Sequence, residues 1–167
     1  MRAREVVRNI DQGVGTGMTE HGRVMLTPQG RASLQARVDE IAGEELPAMR
    51  PLLVEDERDE RVVADFERLQ AEHDRLQVLL GTSGTLDLSS LGEVITLGSR
   101  VAIADADGQR RIVRIVDPVE AYLDEERISD TSPLATALLG HVVGDSCEVN
   151  APAGPWTATV LGVGEEI

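Results

Sequence analysis

Apolar residues recur at helical spacing in the first half of the chain and in short alternating runs in the second. Leu34, Val38 and Ile41 stand at i, i+4 and i+7, which predicts one buried helix face. Thr27-Pro28 supplies its start, because Thr caps well and Pro at the first helical position loses no bonded N–H. Pro47 and Pro51 interrupt the run, and each removes a backbone donor and should kink the helix. Residues 55–61 contain no apolar side chain and read as an exposed turn. Val62, Phe66, Leu69, His73, Leu76 and Leu80 then alternate steps of four and three, a heptad-like seam, and Gly81 fits its C-terminal stop. Two apolar seams of similar length predict an antiparallel helical hairpin, whose arms of about 25 residues would be roughly 38 Å long.

Beyond a polar Ser/Thr/Gly stretch at 82–90 the period changes. Residues 100–103, 111–116, 147–149 and 157–161 are β-type runs, and Asp107-Gly108 is a hairpin turn between the first two. Ile128-Ser129 is a strand-like end, and a single short helix is predicted near 133–139. The fold class is therefore α+β. The expected domains are a flexible leader at 1–26, a helical hairpin at 27–81, a linker at 82–90 and a small β-rich domain at 91–167. Met18 and Met25 are alternative starts. Gly13-Val14-Gly15 is no phosphate loop, because no strand precedes it and no third glycine opens a helix.

Composition narrows the chemistry. Aromatics are 2% of the chain, so an aromatic-lined small-molecule pocket is not expected. The formal net charge of −14 argues against gripping a phosphate backbone, which needs clustered cations. Such a chain suits basic protein surfaces or divalent cations. Every basic residue is Arg, which carries no mechanism. Cys147 is the one cysteine, so no internal disulfide and no cysteine metal cluster can form; beside Val149 it reads as a buried thiol. His73 on the seam reads as a packed side chain, since no second ligand stands at helical spacing. No apolar run is long enough to span a bilayer and no apolar signal core follows the N-terminal arginines, which makes a cytoplasmic chain the expectation.

The segment from Ile128 to Asp145 is the most specific. Its Ile128-Ser129-x-x-Ser132-Pro133 run leads into Ala135-x-x-Leu138-Leu139-Gly140 and then Gly144-Asp145. It resembles the C-terminal domain of the bacterial Gre transcript-cleavage factors. Leu26-Thr27 with Gly30, Pro47, Leu97-Gly98-Ser99-Arg100-Val101, Glu120-Ala121 and Ala153-Gly154 resemble further family positions in order. The resemblance implies an N-terminal antiparallel helical hairpin, coiled-coil-like, and a C-terminal FKBP-like domain with one short helix. It also implies that this domain docks on bacterial RNA polymerase while the hairpin enters the secondary channel. On it, Ser129, Asp130, Ser132, Pro133 and Leu134 are the partner-binding residues. The plain alternative is structural: Ser132 caps the short helix and Pro133 fills its first position.

The tip departs from the family. Cleavage factors carry Asp-Leu-x-Glu-Asn there, a pair of acids that helps hold a second Mg²⁺ ion. Here Glu55, Asp56, Glu57, Asp59 and Glu60 stand instead, resembling the acidic tips of inhibitory, non-cleaving Gre homologues. Carboxylates suit Mg²⁺, so these five are candidate ligands to an ion shared with the polymerase; the chain has no cofactor of its own and no catalytic residue. The plain alternative is a solvated charged turn. Residues 27–81 hold seven arginines against thirteen carboxylates, a net −6 that disfavours holding RNA. The reading is a monomeric polymerase-binding regulator without sequence-specific nucleic-acid or membrane binding. A cleavage factor with an altered tip is the alternative. Prolyl isomerase activity is excluded by the lack of an aromatic cage, since Tyr122 and Trp156 are the domain's aromatics. A nucleoside diphosphate kinase regulator shares the C-terminal domain but has a much shorter hairpin.

Overall fold

The computed structural model describes residues 23–53 and 60–167. They form two compact units, one of residues 28–85 and one of residues 86–167 together with the chain up to Thr27.

In the first unit, α1 spans Pro28–Glu40 and buries Gly30, Leu34 and Val38, the face set by the apolar spacing. The chain does not stop at Pro47. It passes through a π-helical turn, Ile41–Glu45, and resumes as α2, Leu46–Met49, with Pro47 in the first turn. A proline has no N–H for the carbonyl four residues back, and a widened turn just before it absorbs that loss. Pro51–Leu53 is a 3₁₀ turn. The long helix α3 spans Glu60–Thr82. Ile41, Leu46 and Leu69 form the core between them, with Met49, Phe66 and Leu76 packed around it.

Polar contacts fix the pairing. The Arg37 guanidinium bonds Glu72 of α3 at 3.0 Å and Glu40 at 2.9 Å, and also meets Glu45. These carboxylates push its pKa up. Arg31 caps the end of α3. Its guanidinium donates to the carbonyls of Leu80 (3.0 Å) and Ser83 (2.9 Å), the Ser83 hydroxyl (2.7 Å) and the Thr85 hydroxyl (2.9 Å). A helix end otherwise leaves such carbonyls without partners. His73 is half-buried on the seam with Nδ1 3.2 Å from Asp74.

The second unit holds a five-stranded sheet of β1 (Arg100–Ala104), β2 (Arg110–Val116), β3 (Arg127–Ser129), β4 (Ser146–Ala151) and β5 (Gly154–Val163). The order is β3-β2-β1-β5-β4; β2 and β3 run parallel and the other neighbours antiparallel. Helix α4, Pro133–Leu138, covers one face. Val101, Ile103, Val113, Ile115, Cys147, Val149, Ala158 and Val160 alternate inward and pack with Ala135, Leu138 and Ile95. The Cys147 thiol is buried, and burial raises its pKa. At the β1–β2 turn Asp105 accepts the N–H groups of Asp107 (3.0 Å) and Gln109 (2.9 Å), and Gly108 takes φ +77°.

The stretch read as a linker has local order. Asp87 accepts the Ser89 amide at 3.0 Å and opens a 3₁₀ turn, Leu88–Ser90. A Cβ on Gly98 would stand 3.1 Å from Leu88 and 3.2 Å from Leu86, so these leucines pack against the bare backbone.

Candidate functional site

The Ser-Pro segment is a hydrogen-bonded turn between β3 and α4. Register with β2 is held as β3 ends, where the Asp130 amide donates to the Val116 carbonyl at 2.9 Å. The Ser132 amide donates to the Ser129 carbonyl at 2.9 Å, while the Ser129 hydroxyl meets the Thr131 hydroxyl at 2.7 Å. The Ser132 hydroxyl then accepts the Ala135 amide at 3.2 Å, and Pro133 sits in the first turn of α4. The capping role read from the sequence is therefore present. It also leaves Pro133 exposed and Ser129, Ser132 and Leu134 half-exposed on one short stretch. Asp130 is different. It is 6% exposed, and its Oδ1 has no hydrogen-bond partner among the described residues.

Beneath the turn lies a buried polar cluster that sequence reasoning missed. Glu120 is fully buried and accepts the Thr27 amide at 2.5 Å and the Thr27 hydroxyl at 2.6 Å. Arg127, 6% exposed, brings Nε to 3.7 Å from Glu120 and bonds Asp124 through Nη1. Asp124 also accepts the Arg127 and Glu126 amides at 3.1 Å each, which closes the loop before β3. Asp117 is buried nearby; burial raises its pKa, the Val119 amide opposes that, and the Asp130 charge adds to it. Glu120 stood out in the sequence only as half of Glu120-Ala121, and nothing local marks it or Arg127 as interior.

After α4 the chain turns at Gly140, φ +83°, and its amide donates to the Ile95 carbonyl at 2.9 Å. Asp145 then accepts the Val142 amide at 3.0 Å and stands 3.1 Å from His141 Nδ1. Those contacts, the amide first, hold its pKa below the usual carboxylate range.

Of the tip acids, Glu55, Asp56, Glu57 and Asp59 lie outside the described residues. Glu60 opens α3 and is exposed. Among the described residues no three His, Cys, Asp or Glu side chains are grouped to hold a metal ion, and no helix is long and apolar enough to cross a membrane.

A helical pair followed by a mixed sheet with one short capped helix defines an α+β protein whose Ser-Pro turn is its most distinctive surface. The family described as "Transcription elongation factor, GreA/GreB, C-term" matches residues 90–165. A transcription elongation factor GreA of Rhodospirillum rubrum is 31% identical over 144 residues, 79% of this chain and 91% of that protein. The chain belongs to the Gre family. The transcription inhibitor protein Gfh1 of Thermus aquaticus is 43% identical over 90 residues, and the transcription elongation factor GreA of Sinorhizobium medicae is 41% identical over 90 residues. These two matches take in 52% and 53% of this chain, and it spans 57% of the length of each relative. The crystal structure of Gfh1 of Thermus thermophilus is 33% identical, covers 86% of this chain and 99% of its own, and has a TM-score of 0.40.

Proposed function

We propose that this chain is a non-enzymatic regulator of bacterial RNA polymerase. It docks through the turn at Ser129, Ser132, Pro133 and Leu134, places its helical pair in the secondary channel, and restrains transcription without stimulating transcript cleavage. The observation that carries the inhibitory part is the sequence between the helices. Where cleavage factors have Asp-Leu-x-Glu-Asn, residues 55–60 read Glu-Asp-Glu-Arg-Asp-Glu. The net −6 of residues 27–81 supports the same reading, since holding a transcript end needs cations. Similarity to proteins named as inhibitors and as elongation factors, 43% and 41%, supports the family-level role equally on both sides.

The five tip carboxylates are oxygen donors that suit Mg²⁺. Mg²⁺ keeps its water reluctantly surrendered and wants near-octahedral geometry, so an exposed cluster alone binds it weakly. The carboxylates would act beside the polymerase's own metal ligands. A second reading, transcript cleavage through the altered tip, is favoured by the acids themselves, since they are the right donor type.

A stalled elongation complex incubated with the protein separates the two. Slowed extension with no shortening of the RNA is the expected result. Shortened RNA would replace this reading by the second, and no effect on either would reject both.

A further inference from the structure

The core of the C-terminal unit is aliphatic apart from the Cys147 thiol, and both of the unit's aromatic side chains stand toward its surface. Trp156, the chain's one tryptophan, is half-buried on β5 and packs on the rim of that core. Its partner across the β4–β5 hairpin is Val149, which is 1% exposed. Opposed residues share a face, so the indole lies on the side that α4 covers. Its N–H makes no hydrogen bond among the described residues. The hairpin tip before it reads Ala151-Pro152-Ala153-Gly154-Pro155, with Pro152, Ala153 and Pro155 exposed. Residues 151–156 thus carry no charged side chain in a chain of net charge −14, and the indole N–H is their only polar side-chain group.

This tip lies at the same end of α4 as the Ser-Pro turn. Helix α4 packs on β4 more than on any other strand. The link between them is short, residues 139–145, and is closed by the turn at Gly140 and by Asp145. The two elements therefore run back along one another in opposite directions. From Leu138 back to Leu134 is about 6 Å of helix, and from Cys147 on to Val149 is about 7 Å of strand. The first turn of α4 comes level with Val149 and so with Trp156. Leu134, half-exposed, and Trp156 pack on the same core cluster. Pro133, Leu134, Pro155 and Trp156 thus belong to one apolar end of the unit.

We propose that the tip of the β4–β5 hairpin, with Trp156 as its anchor, is the second half of the surface that docks on RNA polymerase, and that the indole enters an apolar recess of the enzyme holding an acceptor for its N–H. The inference rests on docking at the Ser-Pro turn and is continuous with it. Closing the end of the core needs only aliphatic side chains, as Leu134, Ala137 and Leu139 show at the same rim. It does not need a ring with an unpaired donor, nor an exposed turn without polar side chains. Contiguous exposed apolar surface of this kind marks an interaction site. Tryptophan is the favoured anchor there, because it buries a large area for little lost rotamer freedom and keeps a polar handle.

Two measurements on the full chain with purified RNA polymerase test this. Trp156→Leu keeps an aliphatic side chain over the core and removes the ring. Its affinity, read by anisotropy of the labelled protein, should fall roughly tenfold or more, the scale of a truncated interface anchor. Hydroxyl-radical footprinting read by mass spectrometry should oxidise Trp156 readily in the free chain and much less in the complex. A purely structural ring gives no such protection, since its packing on its own core is the same in both states. Ser132→Asp with Pro133→Ala should lose binding and protection together. If that double variant loses binding while Trp156→Leu binds as tightly as the parent, docking at the Ser-Pro turn stands and the hairpin is no part of the interface. Weaker binding of Trp156→Leu with Trp156 unprotected in the parent complex would trace the loss to folding and overturn the proposal as well. No binding by the parent overturns both the hairpin contact and the docking reading it rests on.

Discussion

The carboxylate of Glu120 holds both the backbone amide and the hydroxyl of Thr27, 93 residues away, at 2.5 and 2.6 Å. Both residues are almost completely excluded from solvent, and Arg127 Nε stands 3.7 Å from the carboxylate oxygen that accepts the Thr27 hydroxyl. A buried charge with three such neighbours leaves little tolerance for change.

Glu120→Gln keeps the shape but removes the charge that answers Arg127 and makes one oxygen a donor facing donors. Breaking one side of a buried pair costs about 3 kcal/mol. Thr27→Val removes one hydrogen bond and should cost about 1 kcal/mol. Urea unfolding of both variants checks the order; a Glu120→Gln variant as stable as the parent would show that the cluster is not held by charge.

Asp117 gives a pH signature. Its folded pKa lies above its unfolded value, chiefly through burial. The folded state therefore binds more protons between those two values, and the Asp117 contribution to stability falls as pH rises from about 4. Asp117→Asn can still accept the Val119 amide but carries no charge to bury. The variant should gain stability relative to the parent as pH climbs from 4 to 7, read from urea midpoints. A relative loss over that range would mean that the ionised carboxylate is favoured in the fold.

The Ser-Pro turn proposed to dock on polymerase can be altered without removing its cap. Ser132→Asp still offers an oxygen to the Ala135 amide, and Pro133→Ala remains compatible with the first helical turn. The double variant should keep the circular dichroism of the parent and lose polymerase binding in a pull-down with purified enzyme. Undiminished binding would move the interface elsewhere.

The tip is tested by charge removal at constant size. Changing Glu55, Asp56, Glu57, Asp59 and Glu60 to the matching amides should leave polymerase binding intact and abolish most inhibition of nucleotide addition. Inhibition as strong as the parent's would mean that the hairpin acts by bulk.

Much of the architecture was legible because it is local. The seam from Val62 to Leu80 predicts α3, since a helix repeats its face every 3.6 residues whatever it packs against. Alternation marks β1, β2, β4 and β5, Asp107-Gly108 marks their first turn, and Ser132-Pro133 marks the start of α4. The π-helical passage before Pro47 was less legible: the proline signals a lost bond but not whether the helix stops, bends or widens.

By itself, then, the sequence determined the helical pair, the α+β class and the Ser-Pro turn, because each depends on side chains a few positions apart. Only the tertiary structure decided that Glu120, Arg127 and Asp130 are interior, that Arg100, Arg114 and Arg127 stand in one row, and that Trp156 packs on the same core as Leu134. Those facts depend on strand register and on residues as far apart as Thr27 and Glu120. A charged side chain looks the same in a sequence whether it faces water or a partner, and only the folded chain supplies the partner.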